Sequence, residues 1–466
     1  MKYDFIIVGS GPAGSIISWN LAKNNFKIAL IDRASKIGKS DKNSFVYSPY
    51  VNKCPNYYSP LFSDQLGGNS ALWNSKVYLI SQDEFNKGNW HFTYGELLDN
   101  SKKLAKLFNI NHSDINSVSA SKNLGYSQSK RVKKLGNLYE YLDIKNNPNI
   151  DVFSNSSPIE LKFENDQAIS LKLLNIKTRE EKVIRIGRDL VFCAGGLGNP
   201  TIINNLILNS NKKVGENLCD HSHINLTEIK RKEMNNFLYF GKYFINKNEN
   251  LLEQNLFVEK KNYFVGVNFD FLPDPARVLK RIFIKTRERF SKFIMSKVIK
   301  FYSIFYKIIA GILSRINLKG KYSLEFFFSQ KKDKNNSVKL SSNSIDKFGL
   351  KKSNINWKIS EEEKDVYNSL IDELVGNNGK LLKRKEKYLF DEKKIFVGLH
   401  PSCTTSIGKD TQDGCVDCNL RLFNFKNIYV SGSSVFSTNG FTNPTWTIMA
   451  LSYRLSEYLN NKKLGN

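Results

Sequence analysis

The first 32 residues constrain this chain more than anything that follows them. Tyr3 to Val8 is a short apolar run of the kind that forms a buried parallel strand. Gly9-Ser10-Gly11-Pro12-Ala13-Gly14 follows directly. Ser15 to Asn24 then places Ile16, Ile17 and Leu21 at helical spacing, and a second apolar run, Lys27 to Ile31, ends at Asp32. The order is strand, glycine-rich turn, helix, strand and acid. Gly9 permits the tight turn, Gly11 lets a pyrophosphate approach the backbone, and Gly14 lets helix and strand pack closely. The helix start offers unpaired N–H groups and a positive dipole end to phosphates. Asp32 is spaced to bind ribose hydroxyls. An acid there disfavours a 2′-phosphate, so FAD or NAD is expected rather than NADP, with Arg33 as a contrary neighbour.

Three later stretches carry the same kind of chemistry. Leu66 to Tyr78 (LGGNSALWNSKVY) pairs Gly67-Gly68 with Asn69-Ser70, so bare backbone N–H groups and short polar side chains can lie against a flat cofactor or its phosphates. Arg188 to Pro200 (RDLVFCAGGLGNP) repeats strand, glycine turn and helix late in the chain, which points to a nucleotide domain built from discontinuous segments. Near the C-terminus, His400-Pro401-Ser402 precedes a strand, Asn427 to Ser431. Gly440-Phe441-Thr442-Asn443-Pro444-Thr445 then opens a helix with Asn443 as expected N-cap and Pro444 at its first position.

Together these stretches resemble the glucose–methanol–choline oxidoreductases, FAD-dependent alcohol and sugar dehydrogenases and oxidases. GSGPAG with Asp32, LGGNSALWN, WHFTYGEL, VFCAGGLGNP, VGENLCDH, the segment from Ser337 to Leu340 with Asp346 and Gly349, HPSCTTSIG and NIYVSGSSVFSTNGFTNPTWTIMALSYRL look like family signatures, in the family's order. The resemblance covers residues 1–225 and 322–466. It implies an α/β fold: a Rossmann-type FAD-binding domain built from 1–80, 150–225 and 395–466, and an α+β substrate domain with an antiparallel sheet from 81–149 and 226–394.

The resemblance also implies roles. His400 falls on the family's active-site histidine and Asn443 on its second histidine or asparagine, with the pair facing the flavin. A neutral imidazole can take the hydroxyl proton of an alcohol as hydride leaves its carbon. An Asn amide can hydrogen-bond the same oxygen and orient the C–H bond. The cofactor contacts implied are Gly9, Gly11, Gly14, Asp32, Gly67, Gly68, Asn69, Ser70, Asn74, Ala194, Gly195, Gly432, Asn443, Pro444 and Thr445. The helix after Pro444 would direct its dipole at the reduced flavin. Leu72 stands where covalently flavinylated relatives have histidine, so FAD is expected to be non-covalent. Gly432 stands where many members carry an acid beside the ribityl chain. Cys403 replaces the usual glycine after the active-site histidine, and Ser222 the usual proline after Asp-His. The GGNSALW loop leans toward the pyranose-oxidising branches, which implies a sugar-like alcohol.

Other candidates read as structural. His221 and His223 flank Asp220, but no third ligand sits at metal-site spacing, so no metal is expected and Asp220-His221 is read as ordering a loop. Cys415 and Cys418 lack a second C-x-x-C pair and are read as structural. His91 and His112 have no assigned role.

Composition adds one element. The chain has 466 residues and a formal net charge of +26, with 41% hydrophobic residues, too apolar for a disordered protein. Thirteen basic residues and only Glu288 on the acidic side lie between Arg277 and Lys321, with apolar residues at helical spacing. This basic amphipathic helical segment, 277–321, is expected to lie on an anionic membrane surface, against the alternatives of packing on the body or binding nucleic acid. No nucleic-acid module accompanies it. Without a signal sequence or an 18-residue apolar run, the chain is expected to be cytoplasmic, peripheral on the membrane at most. The expected function is oxidation of CH–OH groups in a small alcohol or sugar-like substrate, a dehydrogenase passing electrons to a quinone or other carrier. The alternatives are a soluble oxidase using oxygen and a flavin-binding relative without turnover.

Overall fold

The computed structural model describes residues 1–34, 45–54, 57, 61–73, 75–111, 115, 117–119, 125–132, 135–207, 210–230, 253–260, 263–270, 321–376, 382–383, 395, 397, 399–440 and 442–462. The expected basic helical segment, apart from Lys321, lies outside these residues, as do Asn74 and His112.

Two sheets organise the chain. In the first, Ile150–Phe153, Ile28–Ile31, Lys2–Val8, Glu181–Phe192 and Ile428–Val430 run parallel in that order. The strand Glu181–Phe192 is long enough to serve two pairings. Its first residues pair antiparallel with Gln167–Asn175, which in turn pairs with Ser156–Glu164. Its last residues lie between Lys2–Val8 and Ile428–Val430. Phe5, Ile6, Ile7, Ile28, Leu30, Leu190, Val191 and Phe192 are fully buried, as expected for parallel strands covered on both faces.

Helices Pro12–Lys23 and Thr445–Asn461 cover this sheet and are joined by polar contacts. Asn20 Nδ2 donates to Ser456 Oγ at 2.9 Å and to Glu457 Oε1 at 2.7 Å. The helix Tyr94–Leu107 packs outside them, with Trp446 Nε1 donating to Ser101 Oγ at 2.9 Å and Arg454 paired with Glu96 at 2.7 Å.

The second sheet is antiparallel throughout. Its order is Ser222–Lys230, Lys321–Phe328, Tyr263–Asp270, Glu253–Lys260, Gly125–Arg131 and Lys76–Val77, with Ser117–Ser119 added on Gly125–Arg131. The mixed α/β architecture with an antiparallel second sheet is the one expected. Lys76–Val77, inside the segment 1–80 assigned to the cofactor domain, pairs with this second sheet instead.

The glycines of the first turn are set by contact. A Cβ on Gly14 would stand 1.8 Å from the Gly9 carbonyl oxygen, and one on Gly9, at φ 107°, would stand 2.6 Å from the Cys193 oxygen. Both neighbours are backbone and cannot rotate away. Gly14→Ala is expected to push the helix off the strand, lower stability by about 1–3 kcal/mol and strip flavin from the purified protein. Urea midpoints and the bound-flavin absorbance check this.

Candidate active site

The site is built at the carboxyl ends of the parallel strands, where open α/β sheets bind their ligands. Parallel register places Gly9, Ala194 and Gly432 just past the ends of neighbouring strands. Cys193 N donates to Val8 O at 2.7 Å, and Ser431 N to Phe192 O at 2.8 Å, which locks the three ends side by side.

The sequence-predicted phosphate residues come together here. Gly11 caps the helix Pro12–Lys23 without a side-chain bond, and a Cβ on it would meet nothing within 4 Å. Gly68 lies over it, since its own Cβ would be 3.0 Å from the Gly11 Cα. Gly67 and Gly68 both have positive φ, at 92° and 52°. Gly67 N donates to Ser10 Oγ at 2.9 Å, and Ser10 Oγ donates to Asp32 Oδ2 at 2.6 Å. Asp32 also accepts from Ser10 N at 2.7 Å and Ala34 N at 2.8 Å. Burial pushes its carboxyl above the usual range against these bonds. Asn69 accepts from Ser63 N at 3.0 Å, and Ser70 Oγ donates to Gly67 O at 2.6 Å, so both hold the loop's shape.

Arg33 is directed elsewhere. It pairs with Asp346 at 2.6 Å, donates to Ser157 at 3.1 Å and lies over the rings of Tyr50 and Phe348. It is thereby occupied away from any ribose phosphate.

The second cradle is formed by Gly195 and Gly432. Gly195, at φ 77°, has open space where a Cβ would be, and Gly432 has φ 117° and ψ −170°, a conformation reserved for glycine. The acid that many family members carry at position 432 therefore has no place on this backbone. Asn199, missed in the sequence, joins the two: its Oδ1 accepts from Ala194 N at 2.6 Å, and its Nδ2 donates to Ser431 O and Ser434 Oγ at 3.0 and 2.8 Å.

The helix start differs from expectation by one residue. Thr445–Asn461 has Pro444 as N-cap, with no side-chain capping bond, so Asn443 does not cap it. Asn443 is half-buried, and among the described residues it is not hydrogen-bonded to His400.

His400 sits on a loop tied down on both sides. Ser402 N donates to Cys219 O at 2.9 Å, and Cys403 N donates to Ser433 O at 3.1 Å. Cys403 has φ 68°, which explains why glycine suits that position in relatives. Asp220 Oδ1 accepts the backbone N–H of His221 at 2.7 Å and of His400 at 3.1 Å, while its Oδ2 accepts from Tyr57 O–H. Nδ1 of His221 and Nδ1 of His400 are 3.0 Å apart, and His221 Nε2 is 3.1 Å from Asn439 O. Burial, then the neighbouring His221 and His223, holds His400 well below the ordinary imidazole range; burial, then His223, lowers His221 to about 4. Both rings are neutral at pH 7.

The spacing argument that left His221 and His223 without a third partner fails in space. Ring nitrogens of His221, His223 and His400 all lie within 4.8 Å of one another. The His221 nitrogens are both engaged in hydrogen bonds, so the cluster is read as a bonded pair rather than a metal centre. His91, unassigned in the sequence, pairs with Asp413 at 3.0 Å on the surface.

Glycine turns at the ends of the parallel strands form a dinucleotide site of Rossmann type. Comparison with known proteins agrees. Residues 332–452 match the family model described as GMC oxidoreductase, and residues 7–73 match that of the NAD(P)-binding Rossmann-like domain. Over residues 332–452 the chain is thus similar to the GMC oxidoreductases, the family its sequence resembles. Pyridoxine 4-oxidase from Mesorbium loti has a similar fold, with TM-score 0.64 at 14% identity over 98% of this chain and 99% of that one. Formate oxidase from Aspergillus oryzae RIB40 gives 0.60 at 13% identity, with 98% of each chain covered. Among curated proteins, geranylgeranyl diphosphate reductase of Rhodobacter capsulatus is 54% identical over 37 residues, which is 8% of this chain and 10% of that protein. Digeranylgeranylglycerophospholipid reductase of Methanococcus vannielii is 53% identical over the same length. The chain thus matches about a tenth of each curated relative. The open faces of Gly11 and Gly195 fit the approach of a dinucleotide to the backbone.

Asp220 gives this site a pH signature. Burial lifts its carboxyl to about 6 in spite of three hydrogen bonds that pull it down. Between pH 4 and 6 the folded protein then holds a proton that the unfolded chain lacks, so this group's contribution to stability falls as pH rises. Relative to Asp220→Asn, the wild type should lose up to about 3 kcal/mol between pH 4 and 7. Urea midpoints measured across that range test it. A difference growing with pH would mean the three donors hold the carboxylate ionised.

Proposed function

We propose that this protein oxidises the CH–OH group of a small alcohol or sugar-like substrate, with His400 taking the hydroxyl proton. The observation that carries this reading is a neutral imidazole held at the carboxyl ends of the parallel strands, with no protein partner on its Nε2 among the described residues. Bound FAD supplies the hydride acceptor. Gly9, Gly11, Gly14, Gly67, Gly68 and Asp32 would hold its dinucleotide part, and Gly195, Gly432, Pro444 and Thr445 its flavin end. Leu72 offers no nucleophile, so attachment is non-covalent. Asn443, half-buried and outside the cap, presents an amide to the substrate oxygen. Segments 1–80, apart from the strand Lys76–Val77, 150–225 and 395–466 would act as the cofactor domain, and the remainder would shape the substrate pocket.

The printed names of the structural neighbours support a small substrate, since pyridoxine and formate are both small. We favour a dehydrogenase using a quinone or other carrier over an oxidase, because the net +12 segment 277–321 fits an anionic membrane surface, on the cytoplasmic side. No helix among the described residues is long and apolar enough to cross a membrane. If the surface reading holds, the protein co-sediments with anionic liposomes at low salt and is released at 0.5 M salt (about a 4 Å screening length). Equal recovery in the supernatant with and without liposomes overturns it.

Anaerobic bleaching of the flavin by a panel of pyridoxine, benzyl alcohol, choline and simple sugars would find a reducing substrate. With that substrate, His400→Ala should keep FAD and slow flavin reduction by at least ~100-fold. Unchanged reduction would remove His400 from the chemistry. The wild-type rate should stay level from alkaline pH down through pH 6.5 and fall only in stronger acid, because His400 titrates well below its ordinary range.

A further inference from the structure

We propose that His221 is a positioning residue that fixes the tautomer of His400, so that Nε2 of His400 is the atom carrying the accepting lone pair. The inference rests on the reading of His400 as base and adds a residue and an atom to it.

The argument is a chain of hydrogen-bond roles. Asn439 O is a carbonyl and can only accept, so the His221 nitrogen 3.1 Å away, Nε2, carries the hydrogen. His221 is neutral at pH 7, since burial and His223 lower it to about 4, so its Nδ1 bears a lone pair. Nδ1 of His400 stands 3.0 Å from that lone pair. Two neutral imidazoles can share this contact only if His400 donates from Nδ1. Its one proton is then spent, and Nε2 is left as an acceptor. Without the partner, a neutral imidazole can hold its proton on either nitrogen, and one of the two forms is no base toward the substrate.

The frame around the pair is rigid. Asp220 Oδ1 accepts from the backbone N–H of both histidines, 179 positions apart, and so fixes their separation. Asn439 is fixed in turn, its Nδ2 donating to Asp220 O at 3.1 Å and its Oδ1 accepting from Gln330 N at 3.2 Å. The rings meet nearly edge to face, with centroids 4.9 Å apart and planes at 70°. In a loss-of-orientation variant of a serine-protease triad, the wrong histidine tautomer alone costs about 10⁴ in kcat. A tautomer mixture that keeps some of the right form costs less.

The chain has only five histidines, so selective ¹⁵N-histidine labelling resolves them. Long-range ¹H–¹⁵N correlation of the FAD-loaded wild type should show His400 protonated at Nδ1 and His221 at Nε2. In His221→Phe, His400 should revert to a mixture of both forms. Flavin reduction should slow by about 10–100-fold in kcat with KM changed less than threefold, and the acid limb should move up toward pH 6.5 as one lowering neighbour is lost. His221→Gln, which offers an amide oxygen to His400 and an N–H to Asn439, should restore the Nδ1–H form and most of the rate. It also keeps the test open should the Phe variant fail to fold. Wild-type His400 found protonated at Nε2, or a FAD-loaded His221→Phe with unaltered tautomer and acid limb, overturns the proposal. His400→Ala separates the two levels: if it reduces flavin normally, the base reading has failed. If it is slow while His221→Phe matches wild type, only the positioning role has failed.

Discussion

The parallel register between Lys2–Val8 and Glu181–Phe192 is the constraint on which the rest depends. It sets Val8 beside Phe192, and the 2.7 Å bond from Cys193 N to Val8 O carries that register one residue past the strands. The first glycine turn and the Ala194-Gly195 turn are therefore neighbours. The short strand Ile428–Val430 brings Gly432 to the same edge. A slip of one residue would reverse every buried side chain of the strand and separate the two cradles. The site is thus a consequence of strand pairing before it is a consequence of any polar residue.

The loops above this edge are held by backbone groups more than by side chains. Gly196 comes so close to the Pro401 carbonyl that a Cβ would lie 2.1 Å from it, and Thr404 Oγ1 donates to Gly196 O at 2.7 Å. The histidine loop is thereby fastened to the start of the helix Gly195–Leu206. On its other side it exchanges paired bonds with Cys219, the residue before Asp220. His400 is consequently positioned by its neighbours in sequence, and its ring is left with little to do but meet His221 and the pocket.

What could be read from the sequence follows from the range of each interaction. The N-terminal strand, turn, helix and acid are contiguous, and their physics is local: glycine conformation, helix ends and apolar periodicity. Those expectations match the described backbone, with Gly11 as cap and Asp32 at the end of its strand. The pairing of His221 with His400 joins residues 179 positions apart, and no spacing rule reaches that far. Asn199 was hidden for the same reason, since two of its three partners, Ser431 and Ser434, lie 232 and 235 positions away. Asn443 shows a subtler limit. The Asn-Pro pattern fits an N-cap, but the helix begins one residue later, with Pro444 at the cap.

Burial explains why the site uses imidazoles that stay uncharged. Ionising His221 or His400 would place a cation beside another histidine in a medium that solvates it poorly, and each is held below its ordinary range for that reason. The one carboxyl among them, Asp220, is raised to about 6 by the same burial. At pH 7 the imidazoles are thus uncharged, and the mostly ionised Asp220 is held by the hydrogen bonds it accepts from Tyr57, His221 and His400. Burial and the two neighbouring histidines leave the free His400 imidazole with a low affinity for protons. If His400 is the base proposed, its low proton affinity would tie proton acceptance to hydride departure, when the substrate oxygen becomes acidic.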